Sequence, residues 1–261
     1  MIFNILAIAQ RELQAYFTSP IAYIVAAVFW FISGWFFVQI LIGEQGIIQQ
    51  IIVSERMGID LGYVDAASEF INSFFTVLET LSLLIVPILS MGLYAEERQG
   101  TLELLATSPI TNWAVALGKL IAVILLFTVT IFPSFIYLTI AFSAIEPPMY
   151  SVFPLLCYLG LILSIASLLS LGMFISSLTN STIVSAILIF GVIFLIWILE
   201  LIAVNSGWLK DILLYISPLT SYGNIIQGTV NLSDFILFFS YIFLGLFLTA
   251  QSISLLRIDR R

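Results

Sequence analysis

The chain has no histidine, a single cysteine, and charged residues at only 9% of its 261 positions. Histidine is the commonest metal ligand and general base, so its absence excludes a Ser–His hydrolase and an H-E-x-x-H zinc site. The one cysteine, Cys157, lies in an apolar run and cannot form an intrachain disulfide. A net charge of −7 argues against nucleic-acid binding, which needs a basic patch. We therefore expect no catalytic residue, no metal ligand and no nucleic-acid partner.

A nucleotide-binding motif is also missing. A P-loop requires G-x-x-x-x-G-K-[ST] after a strand, whereas the only Gly-Lys pair, Gly118-Lys119, is followed by leucine inside an apolar run. The chain is therefore expected to bind no cofactor, and any ATP that drives it would be hydrolysed on another chain. Serines within the apolar runs, among them Ser164, Ser167 and Ser170, are explained better as helix-packing contacts than as nucleophiles of an intramembrane hydrolase.

Long hydrophobic runs dominate what is present, since 61% of the residues are hydrophobic. A helix needs about 20 consecutive apolar residues to cross a hydrocarbon core of about 30 Å. Six runs reach that length and predict an all-α polytopic membrane protein, with residues 1–261 forming a single transmembrane domain. Pro133 should kink the third span. The predicted spans are 20–42, 71–94, 113–142, 152–178, 183–204 and 234–256.

Lysine and arginine predict the orientation, because positive charges in short loops are retained in the cytoplasm. Placing both termini in the cytoplasm puts six of the eight basic residues on or near that side, and the inverted topology would reverse the ratio. Residues 95–112 then form a cytoplasmic segment, and residues 205–233 form an extracytoplasmic segment. Lys119 lies more than a turn inside the third span, from where we expect its side chain to snorkel to the interface.

The tetrapeptide TSPI occurs twice, at 18–21 and at 107–110, each time ahead of an apolar run. Ser or Thr caps a helix start and Pro is accepted at the first helical position, so both copies predict corners. Residues 1–19 lead into the first corner, and their apolar positions recur at helical spacing while Arg11 and Glu12 lie on the polar side. This pattern predicts an amphipathic helix at the membrane interface.

Glu79 is the one carboxylate that falls well within a predicted span. An acidic side chain at the bilayer centre costs about 2.5–3.5 kcal/mol on insertion scales, so such residues usually line a pathway or find a partner. Glu79 is therefore a candidate pathway residue. The alternative is that it lies near the outer end of its span and faces a wet crevice. Glu200 is close to a span end, and we interpret it as interfacial.

The most informative stretch is EERQGTLELLATSPITNWAVALGK, residues 96–119. Leucines exposed in the cytosol would favour aggregation unless they dock on membrane or protein. A loop helix that lies on the membrane surface explains these leucines equally well. The stretch resembles the signature between the second and third spans of type 2 ABC exporter permeases, in the branch with gliding-motility-associated and copper-maturation-associated members. Two further stretches resemble signatures of the same branch: RELQAYFTSPIAYIVAAVFWFISGWFF at 11–37 and YISPLTSYGNIIQGTVNLSDFILFFSYIF at 215–243.

The resemblance implies a half-transporter in the bacterial plasma (inner) membrane. Two six-span permeases, a homodimer or a pair of paralogues, would each dock a cytosolic ABC ATPase that carries ATP and Mg, and an extracytoplasmic accessory protein is a further implied partner. The N-terminal helix with Arg11 and Glu12 corresponds to the connecting helix, and residues 205–233 correspond to the extracytoplasmic helical hairpin before the last span. Residues 43–70 match no family motif. The implied coupling helix, which contacts the ATPase, contains Glu96, Glu97, Arg98, Gly100, Thr101 and Glu103.

Two other classes stay open. An ATP-independent channel or secondary carrier commonly shows inverted repeats and several ionisable residues at mid-membrane, and a comparison of the two halves of this chain finds no such symmetry. A non-transporting membrane scaffold of an envelope or motility assembly also fits the gliding-type resemblance. The substrate is not indicated, because lipids, polymers and apolar drugs suit the apolar and hydroxyl-bearing spans about equally.

Overall fold

The computed structural model describes residues 2–44, 46–57, 66–100, 111–143, 152–204 and 214–258, and within these ranges the secondary structure is helical, with no strand. The helices, in chain order, are α1 (Ile2–Thr18), α2 (Pro20–Ile42), α3 (Ile47–Met57), α4 (Ala66–Ser90), α5 (Gly92–Gly100), α6 (Asn112–Ile131), α7 (Ser134–Ser143), α8 (Phe153–Leu178), α9 (Thr182–Val204), α10 (Pro218–Ile226) and α11 (Leu232–Ile258).

Six stretches of the described chain are long and apolar enough to cross a membrane, which confirms the predicted all-α fold with six spanning helices. The third stretch is interrupted by a turn at Phe132 and Pro133, between α6 and α7. Proline has no N–H to donate and its ring clashes with the preceding turn, so the predicted kink at Pro133 is confirmed. The six stretches are Pro20–Gln50, Ala67–Arg98, Asn112–Ser143, Phe153–Leu178, Thr182–Ile202 and Leu232–Leu255.

Contacts between the helices identify two opposite ends of the bundle. Ser176, near the end of α8, accepts hydrogen bonds from the N–H groups of Tyr94 and Ala95 in α5 and donates one to the Met91 carbonyl, so α5 lies at the end of the bundle where α8 finishes. Helix α1 packs on α6 and α2 at this same end, which we call the α1 end. The start of α4, the end of α9 and all of α10 lie at the other, which we call the α10 end.

Helix α8 is the centre of the bundle and packs against α4, α5, α6, α9, α10 and α11. Its contact with α11 is close: Ser170 Oγ donates to the Tyr241 carbonyl at 3.0 Å, and Gly245 lies directly against the backbone of Ser170. Small residues bring the backbones of membrane helices close together, and serine bonds across the contact. The interpretation of Ser170 as a packing contact is therefore confirmed.

The first TSPI corner has the predicted geometry. Ser19 caps α2, its Oγ accepts a hydrogen bond from the Ile21 N–H at 3.3 Å, and Pro20 is the first residue of the helix. The second corner, at 107–110, lies outside the described residues.

Replacing Gly245 by alanine should destabilise the bundle, because the new Cβ would lie 2.6 Å from backbone atoms of Ser170. Overpacking of this kind costs about 1–3 kcal/mol, whereas alanine in place of an unhindered helical glycine gains about 1 kcal/mol. Gly191→Ala in α9 is the matched control, since no atom lies within 4 Å of its added Cβ. Thermal unfolding in detergent should give a lower midpoint for Gly245→Ala than for Gly191→Ala, and the opposite order would contradict this packing.

Candidate functional site

Lys119 lies two turns into α6 and its side chain is only 3% exposed. Its ammonium group donates to Glu12 Oε1 at 3.2 Å and to the Leu93 carbonyl at 2.7 Å. Glu97 Oε1 lies 3.0 Å from the same nitrogen, and the ring centroid of Tyr94 is 4.9 Å away. An ammonium has three donors and no acceptor, so these three oxygens use its full capacity. We call Glu12, Glu97 and Lys119 the Lys119 cluster.

The cluster joins α1, α5 and α6, which come from separate parts of the sequence. Helix α1 can approach because Gly118 lies at its contact with α6: a Cβ at this position would be 2.8 Å from Ile8 Cβ and 3.0 Å from the Ile5 carbonyl oxygen. Any larger residue at position 118 would hold α1 away from α6. The absence of a side chain at Gly118 therefore lets Glu12 reach Lys119.

The start of α5 is stabilised from outside the helix. The first turn of any helix has N–H groups without an acceptor within that helix, and in α5 the N–H groups of Tyr94 and Ala95 donate to Ser176 of α8 at 3.1 and 3.2 Å. Glu97, two residues later, then contacts Lys119. Helix α5 is thus bonded to α8 at its start and to α6 through its charged middle.

A small cavity of about 170 Å³ lies beside the cluster, between α1, α2, α4 and α5, and Glu12, Tyr16 and Glu96 line it. Burial, with Glu12 and Glu96 adding to it, raises the pKa of Tyr16 above its ordinary value. The hydroxyl therefore keeps its proton through the neutral range and donates to the Leu89 carbonyl at 2.9 Å. This bond ties α1 to the end of α4.

The family profile described as "ABC-2 family transporter protein" matches residues 6–258, nearly the whole chain. The chain belongs to the ABC-2 transporter family. No curated protein matches the sequence. The family and the six apolar helices together identify a multi-pass membrane protein of the permease type, which is a membrane subunit of a transporter rather than an enzyme.

In this ABC-2 family member, the predicted coupling residues fall into two sets. Glu96, Glu97 and Arg98 belong to α5, which ends at Gly100, so the charged group continues the second spanning stretch as a helix. Glu96 is exposed, whereas Glu97 is 15% exposed and bound to Lys119. The remaining two residues, Thr101 and Glu103, lie outside the described residues.

The two residues predicted on the interfacial helix differ in their exposure to solvent. Arg11 is exposed, whereas Glu12 is 17% exposed and bound to Lys119. The expectation that Lys119 snorkels to the interface is wrong, because its ammonium has internal acceptors and almost no exposed surface. A lone lysine within an apolar span usually indicates a partner inside the protein, and this signal could have identified the cluster.

Glu79 lies far from the cluster, midway along α4. It lines an open cavity of about 730 Å³ at the α10 end, together with Glu200 of α9. Glu200 faces this cavity, where its Oε1 accepts a hydrogen bond from the Thr220 hydroxyl at 2.7 Å. Its interfacial position stays a prediction. Within the described ranges, no three acidic or thiol side chains come together as a metal-binding group.

Replacing Lys119 by methionine should lower the stability of the protein, because the change leaves the Glu12 and Glu97 carboxylates without their common cation. Depriving a buried polar group of its partner costs about 1–3 kcal/mol. Thermal unfolding of the detergent-solubilised protein should therefore show a lower midpoint than that of the wild type.

The triple variant Lys119→Met with Glu12→Gln and Glu97→Gln is the matched control. Replacing an entire buried ion-pair network with uncharged groups is often close to neutral, so this variant should recover much of the stability lost by Lys119→Met. A triple variant no more stable than Lys119→Met alone would contradict the electrostatic role of the cluster.

Proposed function

We propose that this chain is the permease subunit of an ATP-driven exporter and that a separate ABC ATPase chain hydrolyses the ATP. Membership of the ABC-2 family supports a transporter subunit. The observation that carries the coupling proposal is the Lys119 cluster, which connects three helices directly beside the segment that leads to residues 101–110.

The cluster offers a mechanical route from an ATPase to the spanning helices. In this proposal the ATPase contacts Glu96, Arg98 and the residues that follow, including Gly100, Thr101 and Glu103. A displacement of α5 would then move α6 through the bond between Glu97 and Lys119, and α1 through Glu12. Nucleotide-bound and nucleotide-free ATPase would favour different positions of α5, and that difference in contact free energy would shift the permease between its conformations.

The remaining parts of the assembly are also proposals. Both termini lie in the cytoplasm of a bacterium, a second permease copy or a paralogue completes the pathway, and ATP and Mg bind only to the partner ATPase. An extracytoplasmic accessory protein would meet the α10 end. The broad apolar faces of α2 and α9 support a partner helix or lipid on both sides of the chain, since large hydrophobic residues there are exposed, among them Phe31, Trp35, Ile183 and Leu195. The gliding-motility or copper-maturation branch is the subgroup that the sequence resembles.

Reversing the charge of Glu96 should test docking of the ATPase without breaking the cluster. Glu96 is exposed, whereas reversal of Glu97 would place two cations together at Lys119. In liposomes that contain permease and ATPase, Glu96→Lys should reduce the permease-dependent ATPase rate several-fold, because a charge contact at the docking surface is lost and becomes repulsive. The unfolding midpoint of the isolated permease should not change.

Glu69→Lys is the matched control, because Glu69 lies at the start of α4 at the α10 end. It should leave the ATPase rate unchanged. An unaltered rate in Glu96→Lys would contradict the docking assignment. Failure of the wild-type chain to retain any ATPase on mild purification in native lipid would favour the membrane scaffold over the exporter.

A further inference from the structure

We propose that the cavity between α4, α9 and α10 binds an organic cation, a protonated amine or a quaternary ammonium group. As a binding site this proposal stands by itself; as the substrate class of the transporter it rests on the proposed function. The cavity lies at the α10 end, at the opposite end of the bundle from the Lys119 cluster.

The cavity carries two acidic side chains. Glu79 and Glu200 both face it, and no lysine or arginine of the described chain lines it. The hydrogen bond from Thr220 orients the Glu200 carboxyl group. Two carboxylates beside a low-dielectric interior repel each other when both are ionised, so a cation placed between them lowers the electrostatic free energy of the ionised pair.

One buried polar atom at the cavity has no hydrogen-bond partner among the described residues. Glu79 Oε1 is shielded from solvent and accepts no bond from that part of the chain. Since buried polar groups are nearly always satisfied in proteins, the unpaired carboxylate oxygen points to a ligand that carries positive charge.

The rest of the wall can receive an organic cation. Trp197 lines the cavity beside Glu200, and Leu83, Leu219 and Ile226 add apolar surface among uncharged polar side chains. The face of a tryptophan ring attracts ammonium groups, and apolar walls accept their carbon substituents. Among the described residues, no three acidic or thiol side chains come together as a metal-binding group.

Binding of radiolabelled benzyltrimethylammonium to the chain in lipid nanodiscs, without any ATPase, tests the site directly. The wild type should bind it saturably, and neopentylbenzene, which has the same shape but no charge, should not compete. Loss of one charge contact in a partly dehydrated cavity should weaken binding by about tenfold, so Glu79→Gln and Glu200→Gln should each show this loss. Trp197→Leu should weaken it less, because the cation–π contact is the smaller contribution.

Two variants control for folding and for nonspecific charge. Glu79→Asp keeps the negative charge and should retain most of the binding, while Glu69→Gln on the same helix faces a different cavity and should bind as the wild type does. Unfolding midpoints of all variants show whether the bundle is intact.

The absence of saturable binding to the wild type would overturn the proposal, as would equal binding by Glu79→Gln and Glu200→Gln or equal competition by neopentylbenzene. Saturable binding of sodium-22 that depends on both glutamates, in a chain that does not bind the ammonium probe, would overturn it in favour of an inorganic ion. ATP-driven accumulation of the probe in inside-out vesicles that contain the ATPase is the separate test of the substrate class. If the probe binds but is not transported, the site stands and its role in the proposed exporter falls.

Discussion

The ammonium group of Lys119 is enclosed by protein two turns into an apolar helix, and this constraint determines how the α1 end is built. A buried cation is stable only where carboxylates and carbonyl oxygens replace its hydration shell, so α1 and α5 must both come within 3.2 Å of the ammonium. The contact with α1 requires glycine at position 118. The contact with α5 requires that this helix begin where Ser176 can accept its first N–H groups. Neither helix can move independently of α6 while the ion pairs hold.

The acidic side chains at the two ends of the bundle have different surroundings. At the α1 end, two glutamates share one lysine and a backbone carbonyl, which leaves a connected and rigid group. At the α10 end, Glu79 and Glu200 face an open cavity, and the Thr220 hydroxyl donates a hydrogen bond to Glu200. Helix α8 links the two ends, because its residues contact α5 at one end and α10 at the other. In the proposed exporter, the ATPase would act at the α1 end and the ligand would bind at the α10 end.

The spanning helices were predictable from the sequence because length and hydropathy determine them locally. The break at Pro133 and the cap at Ser19 were predictable for the same reason, since each depends on a few adjacent residues. The partners of Lys119 were not, because Glu12 lies 107 positions away in the sequence and only the packing of α1 brings it close. The second span was predicted to end at 94, and the continuation of the helix to Gly100 could not be predicted because the Ser176 side chain that bonds its first N–H groups belongs to another helix. The corner at 107–110 stays a prediction.

The order of the three cluster residues along the chain has a consequence for biogenesis. Glu12 and Glu97 both precede Lys119, and a ribosome releases a chain from its N-terminus. Both counter-charges have therefore left the ribosome before the lysine emerges, and each belongs to a segment at the end of the bundle where α6 begins. Glu12 on α1 can therefore neutralise the nascent Lys119 as soon as its helix inserts. The contact with Glu97 is completed only when α8 follows, because Ser176 of α8 holds the start of α5.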